Sequence, residues 1–239
     1  IDMDIQDTAV AREMARIAKH SLLSVGMPFD ANVLNNERSR ITSHMNDNGY
    51  YSFHRDFIRY EVDTVSGSEK VHVRMIVSPR TDATSRTTQM HQLYRVGDVS
   101  FTYDRSTGSP IWFRQSVLDK VNSLVSGNIY RESDLSDTYS RINSLGAVAA
   151  TNIQLTPNAQ DSTLLDAKVV ITPARLNAVQ LGLDGTNTAG DLGVAANFMY
   201  QNRNVFHGSE IFSLKFRTAF EAIRGLKGYA DQNYFEYSI

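Results

Sequence analysis

Gly26-Met27-Pro28-Phe29, followed by Leu34 and Ser39-Arg40-Ile41-Thr42-Ser43, returns later in the chain as Gly127-Asn128-Ile129-Tyr130, Leu135 and Ser140-Arg141-Ile142-Asn143-Ser144. The offset is 101 residues throughout, and Ile17 and Leu118 keep it upstream. A register held over so many positions reads as an internal repeat, which organises everything around it. Further on, Val77-Ser78-Pro79 meets Ile171-Thr172-Pro173 at an offset of 94, so the second copy is shorter in its middle.

Each copy reads as two helices followed by a hairpin. In the first, Met14, Ile17, Ala18, Ser21, Leu22 and Val25 follow helical spacing until Gly26 and Pro28 stop it. A second helix, about Ala31 to Asn46, carries Leu34, Ile41 and Met45 on one stripe and is broken by Gly49. The period then becomes two: Ile58, Tyr60 and Val62 alternate with Arg59, Glu61 and Asp63, and, after Ser66-Gly67-Ser68, Val71, Val73, Met75 and Val77 alternate with His72, Arg74 and Ile76. The second copy adds a leading strand at about Leu93 to Tyr103, a helix opened by Ser109-Pro110 with a Val117, Leu118, Val121, Leu124 stripe, and a helix capped by Ser133 with Leu135, Tyr139, Ile142 and Leu145. Its hairpin is Ile153/Leu155 with Leu165/Ala167/Val169/Ile171. The order is strand, helix, helix, strand, strand, and the first copy begins where its own first strand should already have ended. The divisions are therefore 1–79, a Thr-, Ser- and Arg-rich linker or exposed loop at 80–90, 91–174, and a different pattern over 175–239.

After Arg175 the helical period disappears. Val179, Leu181 and Leu183 alternate with Ala178, Gln180 and Gly182; after Asp184-Gly185-Thr186-Asn187, Leu192, Val194, Ala196, Phe198 and Tyr200 oppose Gly193, Ala195, Asn197 and Met199. Phe212, Leu214, Phe216 and Phe220 oppose Ser213, Lys215, Arg217 and Glu221, and a fourth segment starts at Tyr234-Phe235-Glu236-Tyr237. Membrane-barrel strands alternate in this way, with one side for lipid and one for a wet lumen. A half-buried antiparallel sheet in water does so too, and alternation alone leaves the two open.

Composition narrows the function classes. With 239 residues and 41% hydrophobic residues the chain buries a core. Lys plus Arg number 24 against 26 Asp plus Glu, with no basic block to line up on phosphates, which argues against nucleic acid. Cys is absent, excluding disulfides, thiolate nucleophiles and Cys-ligated zinc, while leaving the compartment open. No apolar run suits a membrane-spanning helix, and Ile1-Asp2-Met3-Asp4 is neither an initiator Met nor a signal peptide; the stretch reads as a piece of a longer chain. Gly-x-Gly-x-x-Gly, Walker-type, Gly-x-Ser-x-Gly and His-Glu-x-x-His motifs are missing, so no catalytic or cofactor-binding residue is assigned. The histidines at 20, 44, 54, 72, 91 and 207 read as surface or structural groups, and Asp2/Asp4 and Asp134/Asp137 as solvated carboxylates rather than metal ligands. Trp112-Phe113 reads as local core in preference to a docking anchor.

The repeat entry Gly26-x-Pro28-Phe29, the helix exit Asn48-Gly49-Tyr50-Tyr51, the strand opening Tyr94-Arg95-Val96-Gly97-Asp98-Val99 and the run Tyr200-Gln201-Asn202-Arg203-Asn204-Val205-Phe206-His207-Gly208-Ser209-Glu210 occur in an order that resembles the BamA/TamA-like outer-membrane surface-antigen family. The resemblance covers almost the whole chain. It implies an α+β fold of two tandem β-α-α-β-β polypeptide-transport-associated (POTRA) units followed by antiparallel strands of a truncated membrane barrel, the last run being similar to the family's first periplasmic turn. The chain departs from the family by ending after about four such strands, too few for a working barrel.

The family implies an outer-membrane location with the repeats in the periplasm, and a non-enzymatic role. Unfolded β-rich clients, outer-membrane or secreted polypeptides, or accessory assembly subunits would be received and passed to a barrel. Open sheet edges supply a physical means, since unpaired N–H and C=O groups can pair with an extended chain. The family's sheet order makes the candidate edges Phe57, Ile58, Arg59, Tyr60, Glu61, Val62 and Asp63, and Thr151, Asn152, Ile153, Gln154, Leu155 and Thr156. Leu192, Val194, Phe198, Phe212, Leu214, Phe216 and Phe220 would face lipid, and in a fragment they should be covered by a neighbouring chain, by detergent or by the sheet folding back upon the repeats, with self-association through the open edge. Purely architectural spacer repeats, and an enzyme whose site is dispersed beyond motif recognition, are the other readings.

Overall fold

The computed structural model of the chain describes residues 2–64, 70–81, 88–104, 106, 112–188, 191–223 and 232–239. Its elements are mixed α+β, and the strands form four small sheets among the described residues. By contact density the chain divides into two compact units: residues 1–100 with 123–138 and 154–168, and residues 101–122 with 139–153 and 169–239.

The first unit opens with β1 (Asp2–Ile5), α1 (Thr8–Ile17), α2 (Ala31–Asp47), β2 (Ile58–Thr64) and β3 (Val71–Val77). The expectation that the first copy lacks its leading strand is corrected: β1 pairs in parallel with β3, Asp2 opposite Arg74 and Ile5 opposite Val77, although it has only four residues against the nine of its counterpart β6 (Arg95–Tyr103). Sheet order is β1-β3-β2, with β2 antiparallel to β3. Val10, Met14, Ile17, Ile41, Met45, Tyr50, Phe53, Ile58, Met75 and Val77 form one buried cluster, which is the apolar stripe of both helices meeting the inner face of the sheet.

Side chains set the helix ends. Asp7 accepts the N–H groups of Ala9 and Val10 to cap α1, and Asp30 caps α2 through the N–H of Asn32. The Asp7 carboxylate also accepts the N–H of His91 at 2.7 Å, fixing that ring between Phe53 and Phe57. Helix α1 ends earlier than its apolar spacing predicts: one 3₁₀ turn, Ala18–His20, follows Ile17, and Val25 is exposed. The cause is Glu37, whose carboxylate takes the Leu22 N–H at 3.0 Å, a donor that would extend the helix, and also accepts the Ser21 hydroxyl at 2.8 Å.

The second copy repeats this stop. Helix α3 covers only Gln115–Val121, and the Ser123 N–H donates to Thr138 Oγ1 at 2.9 Å. Ser123 lies 101 residues after Leu22 and Thr138 lies 101 after Glu37, so one geometry is served by two residue types. Ser109-Pro110 lie outside the described residues. Helix α4 (Glu132–Asn143) includes Ser133, which is therefore not its cap; the Ser133 N–H instead donates to Asp47 at the end of α2, at 2.8 Å. Ile41 and Ile142, matched by the repeat, are both fully buried, whereas Tyr139 is exposed. Gly26 and Gly127 share a left-handed backbone, φ +88° and +84°, with open space around both, so conformation alone requires glycine there.

β7 (Val148–Pro157) and β8 (Leu164–Pro173) complete a sheet of order β6-β8-β7. The stretch read as a linker holds a short ladder of β4 (Arg80–Thr81) and β5 (Thr88–Gln89). The Ser66-Gly67-Ser68 turn lies outside the described residues. β9 (Asn177–Thr188), β10 (Asp191–Asn202), β11 (Phe212–Ile223) and β12 (Gln232–Ser238) form an antiparallel meander of order β12-β11-β10-β9.

Candidate polypeptide-binding edges and the docked turn

Both candidate edge segments fall on outermost strands. Ile58 to Asp63 lie in β2 and Phe57 in the 3₁₀ turn just before it. The Ser78 N–H donates to the Phe57 carbonyl, and Ile58 stands opposite Val77, so Phe57 and Ser78 are a hydrogen-bonded pair. Antiparallel pairs alternate, which turns Arg59, Glu61 and Asp63 towards β3 through their backbone groups and leaves those of Ile58, Tyr60 and Val62 directed at the open edge. Side chains follow a separate alternation. Ile58 is buried, Tyr60 half-buried and Val62 38% exposed, so the apolar face loses its cover along the strand, while Arg59, Glu61 and Asp63 are exposed. Burial pushes the Tyr60 hydroxyl up to about 12, and the Arg38 guanidinium lies 5.5 Å from its ring centre.

Thr151 to Thr156 lie in β7, the outer strand of the other three-stranded sheet. Thr151 is buried; Ile153 and Leu155 are half-buried; Asn152, Gln154 and Thr156 are exposed, and this edge carries no formal charge.

In the meander, register keeps one composition on each side. Phe198 stands opposite Leu181 and Phe216, Tyr200 opposite Val179 and Leu214, and Val194 opposite Phe220; Leu192 holds the position opposite Asn187 and Ala222, and Phe212 that opposite Asn202. Between them Met199 faces Gln180 and Lys215, and Asn197 faces Gly182 and Arg217. The apolar side is bare: Leu183 is 88% exposed and Val194 63%, with Phe198, Phe212, Leu214 and Phe216 exposed as well.

The connection from β10 to β11 is structured. Asn204, buried, accepts the Ser209 N–H at 2.9 Å and donates to the Trp112 carbonyl at 3.2 Å. Arg114 donates its N–H to the His207 carbonyl and pairs with Glu210 at 2.8 Å, and the Ser209 hydroxyl accepts the Ala147 N–H. His207 and Ser209 hold positive φ of 59° and 65°, and a Cβ on Gly208 would run into the Glu210 carboxylate. Trp112 is not core, as its sequence neighbourhood suggested: it is 52% exposed and stacks on His207 at 3.8 Å, while Phe113 alone is buried. Nothing in the local period of Trp112 signals that contact, because its partner lies far along the chain.

A second built feature joins the two copies inside the first unit. The Tyr94 N–H donates to the Gly49 carbonyl at 2.8 Å, and the Tyr51 ring meets Tyr94 and Tyr130 edge-on at 5.8 and 5.3 Å. Among the described residues no group of three or more His, Asp or Glu side chains is placed to hold a metal ion.

No protein-family model matches the sequence, and no curated protein matches it. Solved structures do. Haemophilus ducreyi BamA lacking POTRA domains 1–3 aligns at 14% identity with a TM-score of 0.57, over 99% of this chain and 46% of that one. Haemophilus influenzae BamA POTRA domains 3–5 align at 14% identity and a TM-score of 0.48 over 72% and 59%, and Acinetobacter baumannii CdiB at 13% and 0.46 over 93% and 38%. The chain spans about half the length of the BamA structure it matches over nearly all of its own. Over its length the chain is thus similar in fold to the matched part of that BamA structure, a mixed α+β fold consistent with the resemblance to the BamA/TamA-like family.

Proposed function

We propose that this chain is the repeat region and barrel start of an outer-membrane assembly or secretion factor. In this reading the two β-α-α-β-β units are POTRA units in the periplasm, and β9–β12 enter the outer membrane within a larger barrel. The chain is not an enzyme: it receives extended outer-membrane or secreted polypeptides, or accessory subunits, on its open strand edges. The observation that carries the reading is the pair of three-stranded sheets whose outer strands, β2 and β7, have no further partner among the described residues. After them in the chain comes a meander whose strands β9–β11 each have 12 residues, long enough to cross a bilayer at a tilt, with lipid-suited side chains on one side only.

The test is at Val62, whose N–H points away from β3. Val62→Pro removes an edge donor and spares the ladder. A β-forming peptide titrated into the detergent-held chain should lose affinity for this variant while far-ultraviolet circular dichroism stays unchanged; equal affinity removes augmentation at β2. The spacer reading is favoured by one observation, the Gly49–Tyr51 contact with Tyr94 and Tyr130, which stiffens the join between the copies. It predicts no peptide binding at either edge.

A further inference from the structure

The solvent face of the first sheet carries an alternating charge pattern. β3, the central strand, presents His72 and Arg74, with Lys70 just before it, whereas the outer strands present carboxylates: Asp2 and Asp4 on β1, Glu61 and Asp63 on β2. Register lines them up. Arg74 stands between Glu61 and Asp2, and Asp63 stands opposite His72. Arg74 lies 4.0 Å from Glu61, and His72 lies 3.3 Å from Asp2. The one base on β2, Arg59, is turned to the Ser78 hydroxyl at 3.3 Å.

Opposite charges on directly facing strand positions stabilise a pair, and like charges destabilise it. The acidic outer strands have a consequence for a strand added at β2. A strand that continues the alternation must bring bases to the positions facing Glu61 and Asp63, which are two residues apart and so lie on one face of it. Its other face would lie beside Tyr60 and the exposed Val62 and is served by apolar residues.

Building on the augmentation reading above, we propose that the β2 edge selects extended segments with Lys or Arg at two alternate positions flanked by apolar residues. The β7 edge, with Asn152, Gln154 and Thr156 at its exposed positions, has no such preference and serves as an internal reference.

The experiment compares two fluorescent nine-residue peptides, identical on their apolar face and carrying either Lys or Glu at the two central alternate positions, by anisotropy against the detergent-held full chain at low and moderate salt. The Lys peptide should bind more tightly by roughly 2- to 5-fold for each facing pair, with the ratio shrinking as salt rises. Glu61→Gln/Asp63→Asn should bring the two affinities together, and Val62→Pro should weaken both. Equal binding of the two peptides, both weakened by Val62→Pro, overturns the selectivity and leaves the edge. A Lys preference that survives Val62→Pro and the Glu61→Gln/Asp63→Asn variant marks diffuse attraction and overturns it too. Binding of neither peptide removes the augmentation reading and the selectivity with it.

Discussion

Replacing Gly49 by alanine tests the join between the two copies, because three glycines of this chain separate two costs that usually arrive together. Gly26, Gly127 and Gly49 all have positive φ, +88°, +84° and +93°. A side chain in that conformation costs about 1–2 kcal/mol. Around Gly26 and Gly127 an added Cβ meets nothing within 4 Å, so Gly26→Ala and Gly127→Ala should show that cost alone. At Gly49 the same Cβ falls 2.9 Å from Ile129 Cγ2, 3.0 Å from Leu93 Cγ and 3.3 Å from the Tyr94 carbonyl oxygen. Two of these are side-chain atoms that can shift and one is a backbone oxygen held by the Tyr130 N–H at 3.0 Å. Overpacking of this kind costs about 1–3 kcal/mol more, for about 2–5 kcal/mol in all. Urea unfolding followed by circular dichroism gives the three values, and the near-ultraviolet tyrosine signal gives the local one, since pushing the chains apart separates Tyr51 from Tyr94 and Tyr130. A Gly49→Ala cost no greater than that of Gly26→Ala, with the tyrosine signal intact, would refute the close approach.

Three further outcomes follow from groups already described. Glu37→Gln should cost about 2–4 kcal/mol in the same unfolding assay, because it leaves Arg40, held by two 2.7 Å contacts, beside a neutral and buried amide. Burial raises the Glu37 carboxyl, but hydrogen bonds from Arg40, the Leu22 N–H and Ser21 outweigh it and leave it below the usual carboxylate range. Its contribution is therefore present above about pH 4.3 and lost as pH falls through the depressed value. Burial likewise lowers His91, against the Ser78 carbonyl and Asp7, so stability should be complete above about pH 6.5 and decline as pH falls from there, with a slope of at most about 1.4 kcal/mol per pH unit. His91→Phe should flatten that part of a pH series of urea midpoints, and an unchanged slope would assign the titration elsewhere. In vesicle flotation, Phe198→Arg should cost about 2–4 kcal/mol of membrane association if it lies near mid-bilayer, whereas Gln180→Arg, on the opposite side of the sheet, should cost little; equal losses would contradict the two-sided assignment.

The repeat was legible because its evidence is a register: a constant offset survives substitutions that no local propensity would. Ile41 and Ile142 could be matched and found buried on that ground. Strand alternation was legible for the same reason, and β2, β3 and the meander lie where period two places them. Helix ends were not. Apolar spacing runs on through Leu22 and Val25, but Glu37 takes the Leu22 N–H, and a carboxylate fifteen residues away leaves no trace in a helical period. The short β1 was missed because Asp2-Met3-Asp4-Ile5 pairs with β3, whose identity as a partner only the folded chain reveals. Trp112 was misplaced by the same limit, its partner His207 being supplied by the β10–β11 turn.

Phe29 and Tyr130 show what the repeat leaves undetermined about burial. They are matched by the 101-residue offset, follow glycines of the same backbone conformation, and are both aromatic, yet Phe29 is 52% exposed and Tyr130 3%. The difference is not in either copy. Tyr130 is covered by Tyr51 and packs with Tyr94 and Leu165, and Tyr51 arrives on the exit of α2, a helix of the other copy. A single small sheet with two helices buries too little to hide every aromatic on its own. Tyr130 is thus the receptor for the exit of α2, and substituting it perturbs the join between the two copies.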